Sequence, residues 1–260
     1  MENRINNLFK KKQCKILSVF YTAGFPKLED TVPIAQYLEQ AGVDLMEIGI
    51  PFSDPVADGP VIQDTNTAAL KNGMTLKKLL GQVGEIRKTV KLPIILMGYV
   101  NPVLQYGVEK FCKEAAAAGV DGIILPDLPI DEYVDSYKAT IDSQGLSIAF
   151  LISPTTSEER IRKIDAISNG FIYAVSASST TGVKGEFSAE QEAYFKKLQS
   201  LKLKSPFLIG FGISGNATFS KACQYASGAI IGSAFIEVLR NSPDQKKGIT
   251  DFITALTASP

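Results

Sequence analysis

Glu47 is the residue whose type and setting point most directly to chemistry. It stands between Met46 and Ile48 in the run 44–50 (DLMEIGI), which is otherwise fit for burial. An ionisable group there costs several kcal/mol unless it is protonated, paired or put to use, so a perturbed carboxyl is expected. Asp58 follows in the loop PFSDPVADGP (51–60), past prolines 51 and 55, which stiffen the segment. A fold that curls this loop back would aim both carboxylates at one ligand, and the pair suits acid/base work. The residues alone also allow plainer roles: Glu47 held by backbone amides or a lysine, Asp58 as a turn residue before Gly59. Asp127, in LPDLP (125–129), is a rival at another strand end that these arguments do not rank below Glu47.

What the chain lacks narrows the options. It has no histidine, which excludes Ser-His-Asp triads and histidine proton shuttles. Proton transfer near neutral pH falls to carboxylates or to a perturbed Lys, Tyr or Cys. Cys14, Cys112 and Cys223 lie far apart with no C-x-x-C pairing, against a zinc site or a disulfide framework.

A second signal lies in the last third. Glycines recur at the ends of apolar runs, in Thr181-Gly182, in GFGIS (210–214) and in Gly232-Ser233. Glycine lets backbone amides approach an anion closely, and a helix opening at Ser233 would add its N-terminal dipole and a hydroxyl. Singly, each glycine reads as a turn or cap; together they suit a phosphate held by amides, since no lysine or arginine sits in these motifs. Phe20, Tyr99, Tyr173 and Phe211 fall at or near run ends, where core packing is the default and a flat ligand the functional alternative.

The elements that must position these groups are legible in the hydropathy pattern. Eight short, nearly continuous apolar runs (16–22, 44–50, 93–98, 122–126, 147–152, 171–175, 206–210 and 228–231) alternate with amphipathic stretches such as 30–41, 75–90, 108–118, 158–167 and 189–201. Continuous hydrophobicity marks strands buried on both faces. Eight β-then-α units fit a (β/α)8 barrel, with a doubly wound open sheet as the alternative. In a barrel the strand C-termini and their loops form the active face, and phosphate often binds after strands seven and eight. Long connections fall at 51–60 and 176–188, after strands 2 and 6. AGVD occurs at 41–44 and again at 118–121, a weak echo that helix-stopping glycines explain as well as duplication does. No Pro/Gly/Ser-rich linker divides the 260 residues, so one domain over 1–260 is expected.

With 27 basic and 27 acidic residues the formal net charge is zero, giving no electrostatic support for a nucleic-acid partner. No window reaches the ~18 consecutive apolar residues of a membrane span. The first fifteen residues lack the apolar core of a secretory signal, and a cytoplasmic location is expected.

The motifs LMEIGIPFSDPVADGPVIQ (45–63), YVNP (99–102), GVDGIILPDLP (119–129), GFGIS (210–214) and GAIIGSA (228–234) resemble those of the tryptophan synthase alpha subunit family over essentially the whole chain. The resemblance implies a single (β/α)8 barrel with an extra N-terminal helix. It implies a carbon–carbon lyase that cleaves indole-3-glycerol phosphate to indole and glyceraldehyde 3-phosphate. No metal or organic cofactor is implied in this subunit, and the partner is a pyridoxal-phosphate-dependent beta subunit, in an alpha2-beta2 heterotetramer. Carried over by motif, Glu47 and Asp58 would be catalytic. Gly182, Gly212, Gly232 and Ser233 would hold the phosphate, and Phe20, Tyr173, Thr181 and Phe211 would line the indole and glycerol sites. The loop with Asp54, Pro55 and Asp58 would face the partner and 176–188 would be a lid. There the chain departs from the common pattern: SSTTG (178–182) stands where many members read TGVTG, so Ser179 replaces a glycine. A stand-alone indole-releasing lyase, a catalytically weak activator of the beta subunit and a different phosphate-binding barrel are the competing readings.

Overall fold

The computed structural model describes residues 3–176 and 186–258. Eight parallel strands follow the eight apolar runs: β1 (Ile16–Thr22), β2 (Leu45–Gly49), β3 (Ile94–Met97), β4 (Gly122–Ile124), β5 in two pieces (Ser147–Ile148 and Leu151–Ile152), β6 (Ile172–Val175), β7 (Phe207–Gly210) and β8 (Gly228–Ile231). Hydrogen bonding runs β5-β4-β3-β2-β1-β8-β7-β6-β5, so the two pieces of β5 stand at the two ends of the order and the sheet closes into a barrel.

The run 147–152, expected as one strand, is split because its bonding passes from one neighbour to the other. The Ala149 amide still donates to the Ile123 carbonyl at 3.1 Å, while the Phe150 carbonyl accepts from the Tyr173 amide at 2.9 Å. The amphipathic stretches form helices with nearly the expected bounds, among them Thr31–Gln40, Val108–Ala118, Glu158–Ile167 and Ala189–Ser200. The stretch 75–90 is helical only over Leu76–Ile86, capped by the Thr75 hydroxyl.

Alternation along each strand sorts the side chains. Leu17, Val19, Tyr21, Met46, Ile48 and Ile209 face outward into the layer shared with the helices. Ile16, Leu45, Ile95, Ile124, Leu208 and Ile230 face inward and fill the barrel. The N-terminal helix Arg4–Lys11 stops the floor: Ile5, 1% exposed, joins the inner cluster, and the Phe9 ring lies 5.8 Å from that of Phe171.

The repeated AGVD has a local physical reason. Each glycine takes a left-handed conformation that ends a helix (Gly42 φ 87°, Gly119 φ 95°), and each valine is buried. Each aspartate then caps the first amides of the neighbouring strand: Asp44 accepts from the Leu17 amide at 2.8 Å, Asp121 from the Ile94 amide at 2.9 Å. Both also anchor the floor helix and its surroundings. Asp44 pairs with Lys12 at 2.6 Å; Asp121, 4% exposed, pairs with Arg4 at 2.9 Å and Arg87 at 2.5 Å.

Removing Asp121 would strand the half-buried Arg87 and untie the floor helix at once. Asp121→Ala is expected to lower stability by about 3 kcal/mol or more, read as a shift of the urea-denaturation midpoint, because breaking a buried pair leaves an uncompensated charge. An unchanged midpoint would remove the clamp from this account.

Candidate active site

β2 puts Glu47 on the inward-facing parity, above Leu45 and in register with Phe20 of β1 and Ile95 of β3. Its side chain is fully buried. Oε1 accepts a 2.7 Å hydrogen bond from the Ser18 hydroxyl, and Oε2 has no partner among the described residues. Burial raises the carboxyl pKa to about 7, against which the Ser18 bond acts to lower it. Such a group holds a proton near neutral pH and can give it up without leaving that range.

Asp58 comes from the loop after β2 and is half-buried. The helix Pro60–Lys71 holds it at two points, the Asn66 amide donating to Oδ2 at 3.2 Å and the Gln63 amide to the Asp58 carbonyl at 2.7 Å. Tyr99, beyond the end of β3, stands close enough to the Asp58 carboxylate to favour its charged form, and its hydroxyl oxygen accepts from the Ala57 amide at 3.0 Å. Burial raises the Asp58 pKa, against which Tyr99 and the bond from Asn66 act to lower it. The rival, Asp127, is exposed and spends both carboxylate oxygens on the Val100 amide, at 3.0 and 3.2 Å, capping the helix Val100–Tyr106. That is a structural task, and it separates Asp127 from Glu47.

Tyr173 of β6 links the two acids. Burial and the nearby charges of Glu47 and Asp58 push its hydroxyl well above the usual phenol range, so the tyrosine lies close enough to feel both acids. Its ring fits because position 210 has no side chain: a Cβ on Gly210 would lie 2.3 Å from the tyrosine oxygen. Phe211 meets Tyr173 edge-on at 6.3 Å between centroids. Phe20, 6% exposed, packs beside Gly49 and Gly232. Phe20, Tyr173 and Phe211 therefore lie with Glu47 on the inner side of the barrel.

The glycine motifs after β7 and β8 have unusual backbone geometry. Phe211 and Gly212 are both left-handed (φ 65° and 72°), an unusual state for a bulky aromatic residue, and the Ser176 hydroxyl holds the Phe211 carbonyl at 2.8 Å. The helix Ser233–Asn241 opens directly after β8 with Gly232 as N-cap and no side-chain cap on its first amides. Uncapped amides and the helix dipole favour an anion there. Thr181 and Gly182, and with them most of the expected lid at 176–188, lie outside the described residues.

The sequence reading missed Ser18, Asn66 and Ser176. Ser18 left a usable signal: a polar residue in the buried run ILSVFYT, on the same parity as Phe20 and so on the inner face with Glu47. Asn66 and Ser176 depend on contacts between distant elements, which no local pattern announces.

Comparison with known proteins places the chain in a family. The family model described as tryptophan synthase alpha chain matches residues 6–258. The tryptophan synthase alpha chain of Flavobacterium johnsoniae is 55% identical over 251 residues, covering 96% of this chain and 98% of that one. A crystal structure of the alpha chain from Legionella pneumophila superposes with a TM-score of 0.88 at 35% identity, over 98% of this chain and 96% of that one. A structure of the tryptophan synthase complex from Pyrococcus furiosus matches with a TM-score of 0.86 at 30% identity, over 94% and 98% of the two chains. A family model matched over nearly the whole chain, relatives at about half identity and a shared barrel fold lead to one conclusion: the chain belongs to the tryptophan synthase alpha chain family.

Proposed function

We propose that this chain cleaves indole-3-glycerol phosphate in a retro-aldol step, giving indole and glyceraldehyde 3-phosphate. The observation that carries the reading is the Glu47 carboxyl: fully buried on the inner wall, one oxygen bonded and the other without a partner among the described residues. Breaking the bond between the indole ring and the glycerol chain directly would expel a carbanion, so carbon 3 of the ring must first be protonated. Glu47, protonated at the start, gives its proton to carbon 3. The resulting positive charge on the ring nitrogen is met by the Asp58 carboxylate, which accepts the N–H hydrogen bond. Glu47, now ionised, takes the proton from the glycerol hydroxyl next to the ring. The carbon–carbon bond breaks, its electron pair restores the aromatic ring, and the hydroxyl carbon becomes the aldehyde. Glu47 ends protonated, ready for the next turn, which a pKa close to the working pH favours.

Phe20, Tyr173 and Phe211 offer a flat apolar slot for the ring. The amides at Gly212, Gly232 and Ser233 offer donors for the phosphate without a basic side chain. Thr181 and Gly182 would complete the site from the loop after β6. The partner is a tryptophan synthase beta subunit, in an alpha2-beta2 assembly. Support comes from the Pyrococcus furiosus complex and from the loop beside the site, where Val56 is 83% exposed and Asp54 is exposed. No described helix is long and apolar enough to cross a membrane.

Glu47→Gln is expected to cut steady-state indole release by ~100-fold or more with little change in KM, and wild-type turnover would refute the assigned role. Misfolding will not explain the loss. A carboxyl whose pKa is raised on folding favours the folded state most below the unfolded value, 4.5, and loses that contribution as pH rises through about 7. The glutamine variant should therefore gain stability relative to wild type on going from pH 4 to pH 8, on the order of 3 kcal/mol, measured by urea unfolding at both values. Asp58→Asn, which keeps an acceptor but brings no charge, should lower kcat. Ser233→Ala should mainly raise KM, and lost turnover at saturating substrate would contradict simple anchoring. Assaying the unmutated chain with and without a beta subunit separates a coupled lyase from a stand-alone one and from an inert activator.

A further inference from the structure

We propose that Ser18 is a positioning residue for this reaction: its hydroxyl ties down one oxygen of Glu47 and so commits the transferable proton to the other. The inference rests on the reading of Glu47 as the proton carrier.

Ser18 lies on β1 in register with Leu45, one inward-facing position nearer the floor than Phe20, which pairs with Glu47. It is fully buried, and its 2.7 Å bond to Glu47 Oε1 is the one hydrogen bond its hydroxyl makes among the described residues. When Glu47 is ionised, the hydroxyl is the donor. When Glu47 is protonated, a proton on Oε1 would leave the Ser18 hydrogen without an acceptor inside the barrel, which is unfavourable. With Ser18 still donating to Oε1 and the acid proton on Oε2, the hydrogen left unpaired in the ligand-free protein is instead the one on the open oxygen, where a substrate atom can take it. Oε2 is the oxygen that no described side chain or backbone group holds, so it is free to meet a substrate atom.

The tether also keeps the carboxyl from swinging between the substrate's ring carbon and the floor, a freedom that a four-atom side chain otherwise has. Because the same bond favours the ionised form, it moderates the rise that burial imposes. Other titratable groups facing Glu47 are Tyr173 on β6 and Asp58, with Tyr99 behind Asp58. The adjacent inward positions Phe20 and Ile95 on β1 and β3 carry no charge.

The test is the pH dependence of kcat and kcat/KM for indole release from indole-3-glycerol phosphate, in wild type, Ser18→Ala, Ser18→Thr and Glu47→Gln, each checked by thermal unfolding. Ser18→Ala should lower kcat by about 10-fold, leave KM within about threefold and move the alkaline limb of the profile up by roughly one pH unit, as loss of a hydrogen bond to a charged group predicts. Ser18→Thr, which keeps a hydroxyl, should restore both rate and limb. Wild-type rate and limb in Ser18→Ala, with Glu47→Gln inactive, would overturn the proposal while sparing the Glu47 assignment. An equal loss in the alanine and threonine variants would overturn it too, since the effect would then belong to packing. Full activity in Glu47→Gln would overturn the underlying reading instead.

Discussion

Burial of one carboxyl inside a barrel is the constraint around which the rest of this structure is arranged. Moving a charged group out of water costs far more than most single contacts return, so the chain has to tolerate Glu47 in its neutral form or surround it with donors. Among the described residues it supplies a single donor, Ser18. The compromise leaves a carboxyl poised between its two states at neutral pH, a setting that harms stability and suits proton transfer. Its described inner-face neighbours are otherwise mostly apolar, with Leu45 and Ile16 below and Ile95 and Phe20 beside it, and Tyr173 bringing a phenol ring.

Rigidity comes from below and adaptability from above. The floor helix is locked by Ile5, Phe9 and the two AGVD aspartates, which also fix the first amides of β1 and β3. The strand that carries Glu47 lies between those two, so its register is held on both sides. At the rim, by contrast, Asp58 hangs on Asn66, Gln63 and Tyr99, and the left-handed Phe211-Gly212 pair is pinned by the Ser176 hydroxyl. Loops supported in this way by side-chain bonds can shift without disturbing the barrel, as substrate entry requires.

Much of this was legible in the sequence, and the reasons differ by feature. The eight strands were readable because parallel strands covered on both faces are continuously apolar, and Glu47 stood out as the one acid inside such a run. The handover within 147–152 was not, since it depends on which neighbours a strand meets as the barrel closes. Asp127 and Glu47 could not be ranked from sequence because both stand near strand ends; in the structure Asp127 is exposed and bonds the distant Val100 amide, whereas Glu47 is buried. Tyr99 was noted as an aromatic near a strand end, yet its work is done by its hydroxyl, on a loop more than forty residues earlier. The phosphate rim was suggested by glycines in combination, and the uncapped helix start at Ser233 gives that suggestion a physical basis.

The most direct test of the account is the titration of Glu47 itself, without turnover. Side-chain carboxyl resonances of the ligand-free protein, labelled with carbon-13 at the glutamate carboxyl and assigned by comparison with Glu47→Gln, should show one group titrating with a midpoint near pH 7. If residue 47 were already ionised at pH 5, the buried, proton-holding carboxyl on which the whole reading stands would not exist.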